Sequence, residues 1–199
     1  MTESDEGSRA LRDRLVDVGA ELVAAEGVQA LTLREIARRA GVSHGAPRRH
    51  FPTHVELLSA IARRGFAELA ARVEEARGAL GDGEADPRAQ VTALGRAYLE
   101  FATRERGMYE LMFRHDLLES GHLGLRDTSL PLFGILVDLV GRVRLDADAR
   151  VAAGALWANL HGIAQLWRWG SLQLATKDDD LACLLRTALD AHLGPEGGR

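Results

Sequence analysis

The chain has 199 residues, a formal net charge of -4 and few aromatic residues. This length suits one large helical domain, or a small domain joined to a medium one. Because no run of alternating Val, Ile or Thr is sustained, the sequence predicts an all-α fold. The negative total excludes a uniformly basic nucleic-acid binder, so any basic surface has to be local.

The N-terminal segment and the single cysteine indicate the cellular compartment in which the protein is found. Residues 1–7 lack the apolar core of a signal peptide, and no stretch approaches the roughly 18 uninterrupted apolar residues of a membrane span. Cys183 is the only cysteine, which excludes a disulfide within the chain. We therefore expect a soluble, cytoplasmic protein with no membrane partner.

The first two predicted helices have clear ends. Apolar residues recur at helical spacing over residues 8–26, and Gly27 is suited to the left-handed conformation that often ends a helix. Thr32 and Glu35 form a T-x-x-E capping box, in which each side chain bonds to the other residue's backbone N–H. The second helix follows from there and stops at Gly41.

A third short helix follows the turn at residues 41–43. Ser43 is its expected N-cap. Because a proline is easily accommodated only in the first turn of a helix, Pro47 predicts a start near His44 or Gly45, and Pro52 closes the helix after Phe51.

Helical periodicity then continues to the C-terminal end, giving about nine helices in all. Loops are expected at residues 81–87 and 121–129, and a disordered tail from Gly194. The later helices are predicted at residues 54–80, 88–103, 107–118, 130–143, 147–169 and 179–193.

Positive charge is concentrated in the second and third helices. Between residues 33 and 54 there are five arginines and a single glutamate, besides three histidines. Two short helices joined by a tight turn form a helix-turn-helix, whose second helix fits the DNA major groove. A basic patch at that position neutralises phosphates and releases counterions. The alternative is that these arginines only form a charged helix face in contact with water. That alternative would not explain why the capping box, the glycine turn and the basic residues occur in the same segment.

The run LTLREIARRAGVS at residues 31–43, continued by HGAPRRHFP at residues 44–52, resembles the DNA-binding signature of the TetR (tetracycline-repressor) family. The similarity covers about residues 9–69. It implies a helix-turn-helix domain over residues 9–69 and an effector-binding and dimerisation domain over residues 70–194. Such a regulator, usually a repressor, binds a palindromic double-stranded DNA operator as a homodimer.

Two residues depart from the family pattern. Many members carry Tyr where this chain has Arg48 and Lys where it has His54, and both of those family residues commonly contact phosphate. We expect Arg48 or Arg49 to reach base edges. The residues predicted to bind DNA are Thr32, Arg34, Ser43, His44, Gly45, Arg48, Arg49, His50 and His54.

The C-terminal half has a weaker resemblance to a TetR subgroup named for its Trp-His-Gly motif. It rests on Trp157 and residues 160–162, preceded by the segment MYELMF at residues 108–113. Large apolar groups with a few polar tips are also the composition expected of a small-molecule pocket, although core packing is an equal alternative for any one of them. The predicted effector-binding residues are Tyr98, Phe101, Tyr109, Met112, Phe113, Trp157 and His161.

Other functions are less well supported. An enzyme could be imagined around His115, Asp116 and Cys183, but no nucleophile elbow or phosphate loop frames them. His115, Glu119 and His122 are spaced to share a helix face and bind a divalent metal, but a solvated helix end is the preferred interpretation, so we expect no metal and no cofactor. The same DNA-binding dimer without any small-molecule effector stays open.

Two helix faces, each a stripe of small or apolar residues, are predicted to form the interface of a homodimer. Small residues recur at three- and four-residue steps in one helix, and leucines recur similarly in the last helix. Two such helices from each chain would form a four-helix bundle. The stripes are Ala152, Ala155, Ala158 and Gly162, and Leu181, Leu184, Leu185, Ala188 and Leu189.

Overall fold

The computed structural model describes residues 3–81, 86–114, 116–117, 124–145, 148–177 and 179–195, and all regular structure in those ranges is helical. A single turn of 3-10 helix at Val28–Ala30 follows the first α-helix. The α-helices are α1 Glu3–Glu26, α2 Leu33–Arg39, α3 Ala46–His50, α4 His54–Gly78, α5 Pro87–Arg104, α6 Arg106–Met112, α7 Leu125–Val143, α8 Ala149–Arg168, α9 Ser171–Thr176 and α10 Leu181–Leu193. The all-α prediction is confirmed.

The helices differ from the predicted ones mainly at their ends. The first helix begins at Glu3 rather than residue 8, and α7 begins at Leu125 rather than residue 130, taking Pro131 into its second turn. The short helix α9 was not predicted at all. It follows Gly170, whose φ of 74° ends α8 in the left-handed conformation.

The caps of α2 and α3 were predicted only in part. Thr32 caps α2, since its hydroxyl oxygen accepts from the Glu35 N–H at 3.2 Å. The reciprocal half of the capping box is absent, because the Thr32 N–H donates to the Ala30 carbonyl oxygen instead. Ser43 is not the N-cap of α3: the cap position is Gly45, which makes no side-chain bond, and the helix starts at Ala46.

The chain divides into two compact units. The first comprises residues 1–68 and 105–128, and the second comprises residues 69–104 and 129–199. The unit boundary at residues 68–69 therefore falls inside α4. The predicted domain ranges, 9–69 and 70–194, remain predictions.

The first unit is built around α1, which packs against α2, α3 and α6. Its core includes Leu15, Leu22, Ile36, Ile61 and Tyr109, all fully buried. At one point helix α4 approaches α6 closely: a Cβ atom on Gly65 would lie 2.7 Å from the sulfur atoms of both Met108 and Met112. A larger residue there would force both methionine side chains to shift, so glycine is favoured by packing rather than by backbone conformation.

The second unit packs α5, α8 and α10 together, with α9 against α8. Asp148 and Asp180 cap α8 and α10 by accepting backbone N–H bonds. A Cβ on Gly95 would lie 2.9 Å from Leu185, so α5 and α10 are in close contact. Leu185, Ala188 and Leu189 are buried within the chain itself, whereas Leu181 and Leu184 are half-buried, so only those two of the predicted stripe remain candidates for a dimer seam.

Candidate functional site

The helix-turn-helix segment is formed by α2 and α3, whose residues contact each other and α1. Gly41, with a φ of 67°, makes the turn after α2. Pro47 is buried at the start of α3, and the buried ring of Phe51 follows its end. The guanidinium of Arg12 on α1 lies 4.9 Å from the centre of that ring, a cation–π contact that sequence reasoning missed. Both ends of α3 are thus anchored.

All nine residues predicted to bind DNA lie in the first unit, and none is buried. His50 is half-buried, and the others are exposed: Thr32, Arg34, Ser43, His44, Gly45, Arg48, Arg49 and His54. Within the described residues, Arg34, Arg48 and Arg49 have no hydrogen bond or ion pair with another side chain. Their positive charge therefore faces solvent.

The other two arginines of the segment are paired. Arg38 and Arg39 both donate to the Glu35 carboxylate, at 2.6 and 2.8 Å, and Arg39 also contacts Glu26. Hydrogen bonds from Arg38, which has the larger effect, and from Arg39 lower the pKa of the Glu35 carboxyl to about 2. The net positive charge counted from the sequence of this segment therefore overstates the charge available to DNA. Two of its five arginines, Arg38 and Arg39, are already paired with carboxylates.

His54, the first residue of α4, is bonded to protein. Its Nε2–H donates to the backbone carbonyl oxygen of Leu31 at 2.6 Å. Leu31 directly precedes the N-cap Thr32, so the bond joins the start of α4 to the start of α2. The sequence showed no local signal for this contact, which spans 23 residues.

A second group of predicted residues lies in the second unit. The Tyr98 hydroxyl on α5 and the His161 Nδ1 on α8 are 2.8 Å apart. The His161 Nε2 lies 3.5 Å from the amide nitrogen of Gln165, and Arg168 donates to the Gln165 amide oxygen at 3.2 Å. Sequence reasoning missed Gln165 and Arg168, although their spacing of four and seven residues from His161 places them on the same side of a helix.

These bonds favour one tautomer of His161. A guanidinium only donates, so the Gln165 oxygen accepts from Arg168 and its NH₂ group donates to His161 Nε2. The imidazole then carries its hydrogen on Nδ1 and donates it to the Tyr98 oxygen. Burial, and the positive charge of Arg168, lower the pKa of His161 and favour this neutral form.

Aromatic rings border His161 within the same unit. The ring centres of Trp157 and His161 are 6.0 Å apart, and those of Phe133 and Trp157 are 6.1 Å apart. Trp157 is 40% exposed, so this edge of α8 is open, whereas Phe101 is fully buried. Phe101 contacts the guanidinium of Arg72, 5.2 Å from its ring centre.

The remaining predicted effector residues lie in the first unit. Tyr109 and Met112 on α6 are fully buried, and Phe113 is half-buried. The Phe113 ring lies 4.9 Å from that of Tyr109 and 5.7 Å from that of Phe66, centre to centre. Core packing therefore accounts for the positions of all three.

The described residues include no group of three or more His, Cys, Asp or Glu side chains arranged to hold a metal ion. His115, Glu119 and His122 lie outside the described residues. No helix in the described ranges is long and apolar enough to cross a membrane.

Two family models match the chain. Residues 15–61 match the one described as bacterial regulatory proteins, tetR family, and residues 91–191 match the tetracyclin repressor-like, C-terminal domain. Over 50 residues the chain is 44% identical to the HTH-type transcriptional regulator SrpR of Pseudomonas putida, a match that covers 25% of this chain and 24% of that relative. Across the curated relatives, matches span between 24% and 39% of the relative's length.

Solved structures match over nearly the whole chain. A protein of unknown function from Rhodococcus sp. RHA1 is 30% identical, with a TM-score of 0.71, over 92% of this chain and 93% of that one. The multidrug binding protein EbrR, solved in complex with imidazole, is 28% identical, with a TM-score of 0.62, over 92% and 94%.

Proposed function

The chain belongs to the TetR family of bacterial regulatory proteins, and on that premise we propose that it is a DNA-binding transcriptional repressor that a small-molecule effector releases from its operator. The proposal rests on one observation above all. The short helix α3 carries two exposed arginines, Arg48 and Arg49, and is anchored on both sides by buried Pro47 and Phe51.

In the proposed complex α3 enters the major groove. Arg48 or Arg49 pairs with guanine through two parallel hydrogen bonds, each such pair contributing about 1–3 kcal/mol of discrimination. Arg34 and the polar groups around the turn contact the phosphate backbone and set the register. Those groups are Thr32, Ser43, His44, Gly45 and His50, whereas His54 is bonded to Leu31 and is proposed to position α2 instead.

The effector site is proposed around Trp157 and His161 on α8, where the exposed Trp157 and the half-buried His161 lie beside the buried Tyr98 of α5. Similarity to a ligand-binding protein such as EbrR supports a sensing role. We also propose that the C-terminal half belongs to the Trp-His-Gly subgroup. An effector regulates only if it binds the DNA-bound and released conformers unequally.

A homodimer is proposed to form through α8. Apart from Arg150 and Asn159, the residues on its exposed side are small or apolar, although an outward-facing helix surface is normally polar. A Cβ on Gly162 would meet no atom within 4 Å, so another helix can approach there. Two recognition helices would then lie about one DNA turn apart, roughly 34–36 Å or a multiple of it. The exposed side comprises Val151, Ala155, Ala158, Gly162, Leu166 and Trp169.

Operator selection from random DNA, followed by fluorescence anisotropy, tests the DNA-binding role. We expect a palindromic site, and a loss of sequence preference in Arg48→Ala or Arg49→Ala. Unchanged affinity and preference in both variants would contradict the proposed base contacts. His161→Ala should weaken effector response while sparing operator binding without ligand. A protein that binds its operator and responds to no ligand would instead be a repressor without an effector.

A further inference from the structure

Helix α1 carries an exposed arginine, Arg14, beside the turn between α2 and α3. A Cβ on Gly41, the glycine that makes this turn, would lie 3.6 Å from a guanidinium nitrogen of Arg14. From this placement we infer that Arg14 is a further DNA contact, which binds a backbone phosphate and reads no base. The inference rests on the DNA-binding function proposed above, and it extends the proposed interface from α2 and α3 onto α1.

The charge of Arg14 is available to a ligand. Within the described part of the chain, its guanidinium makes no hydrogen bond or ion pair. The carboxylate nearly one helical turn further along, that of Asp17, is paired with Arg64 of α4. Asp13 is the residue next to Arg14, and adjacent residues on a helix do not face each other. Arg14 therefore presents its positive charge to solvent at the edge of the turn.

The turn itself supplies little positive charge for a phosphate. Ser43 is neutral, and Arg38 and Arg39 at the end of α2 are paired with Glu35. A phosphate that approaches the turn would therefore gain a charged partner from Arg14. A guanidinium suits this role because its planar donors can form two parallel hydrogen bonds to the oxygens of one phosphate.

The width of the groove explains why Arg14 would contact phosphate rather than a base. The major groove is about 12 Å wide, and a helix with its side chains is about 10–12 Å across. Once α3 lies in the groove, it fills the space through which base edges are reached. Arg14 belongs to another helix and lies beside the turn that precedes α3. Its reach is then limited to the sugar-phosphate backbone that borders the groove, where contacts set position and carry no sequence information.

Fluorescence anisotropy with the selected operator and with a duplex of random sequence tests this inference. Arg14→Gln removes the charge, and it should weaken binding to both duplexes by the same factor, about tenfold at about 50 mM salt. One phosphate contact contributes about 0.9 to the slope of log affinity against log salt, so this deficit should shrink about 3.5-fold at about 200 mM. Arg14→Lys keeps a charged phosphate donor and should recover most of the affinity. The control is Arg96→Gln, which removes the same charge from an exposed position of α5 in the second unit.

Thermal unfolding separates a DNA contact from a structural role. The Tm of Arg14→Gln should equal that of the wild type, because Arg14 makes no hydrogen bond or ion pair with a described residue. A Tm lowered by several degrees would overturn the inference, because Arg14 would then support the fold.

Three binding results would also overturn it: an unchanged salt slope in Arg14→Gln, a loss of affinity no larger than in Arg96→Gln, or a changed base preference in operator selection. Failure of the proposed function looks different, because the wild-type protein would then select no operator from random DNA. If the wild type selects an operator and Arg14→Gln behaves like Arg96→Gln, only the role of Arg14 is refuted.

Discussion

The imidazole of His54 donates its Nε2–H to the carbonyl oxygen of Leu31, joining the start of α4 to the residue before the N-cap of α2. A carbonyl oxygen only accepts, so Nε2 must carry a hydrogen for this bond to exist. Both the neutral Nε2–H tautomer and the imidazolium satisfy that condition. The family resemblance assigns this position to a phosphate contact, and the hydrogen bond suggests a positioning role instead.

Replacing His54 separates the two roles. If the bond positions α2, His54→Ala should weaken operator binding about fivefold, the effect of one lost hydrogen bond of about 1 kcal/mol. The slope of log affinity against log salt should not change, because no phosphate contact is lost. His54→Gln, which keeps an amide donor, should recover part of the affinity. A salt slope shallower by about one would instead identify a phosphate contact.

Glu35 should limit DNA affinity, because its carboxylate offsets part of the positive charge of Arg38 and Arg39. Glu35→Gln should tighten binding to any DNA and steepen its salt dependence. Anisotropy titrations at several salt concentrations measure both effects. Glu21→Gln, on the exposed surface of α1, changes the net charge equally and is the control. Equal gains in the two variants would mean that total charge, rather than the pairing, sets the affinity.

Folding stability should depend on pH through His161. Its pKa is lowered in the folded protein by burial and by Arg168, so the unfolded chain binds the proton more readily. The stability from the neutral ring is complete above the ordinary histidine pKa of about 6.5 and is lost as pH falls below it. Urea unfolding between about pH 7.5 and 5 should show this decline, and His161→Gln should flatten it. A similar flattening in His44→Gln, an exposed position, would contradict the assignment to His161.

The dimer seam should be sensitive to a charge on α8. Ala158 lies in the middle of the exposed apolar side, so Ala158→Glu should place a carboxylate in the interface and yield monomers. Sedimentation at micromolar concentration and operator titration should show loss of both dimer and tight binding. Ala71→Glu adds the same charge at an exposed position of α4, outside the proposed seam, and should remain dimeric. A wild-type monomer under these conditions would refute the two-half-site mechanism.

Local patterns were sufficient to predict much of this fold. The helical periodicities, Gly27, the N-cap Thr32 and the turn at Gly41 all follow from neighbours within one or two turns of helix. The apolar stripe of α10 was read correctly as an amphipathic face, but its partner was not. An amphipathic pattern predicts that a face is covered, but only the structure shows that α5 and α8 cover this one, with α5 closest at Gly95.

The candidate sites were harder to predict, because their chemistry depends on distant residues. The charge of α2 and α3 was counted correctly, yet Glu26, 13 residues from Arg39, helps to neutralise part of it. The role of His54 depends on Leu31, and the tautomer of His161 depends partly on Tyr98, 63 residues away. No local pattern carries such information.

The carboxylate shared by Arg38 and Arg39 also bears on how a regulator finds its operator. A genome offers about 10⁶–10⁹ competing sites, and each unpaired cation lengthens the time spent on all of them alike. By pairing with Arg38 and Arg39, the carboxylate should shorten residence on irrelevant sequence, while Arg48 and Arg49 stay exposed for the proposed base contacts. Selectivity then comes as much from releasing the wrong DNA quickly as from holding the right DNA.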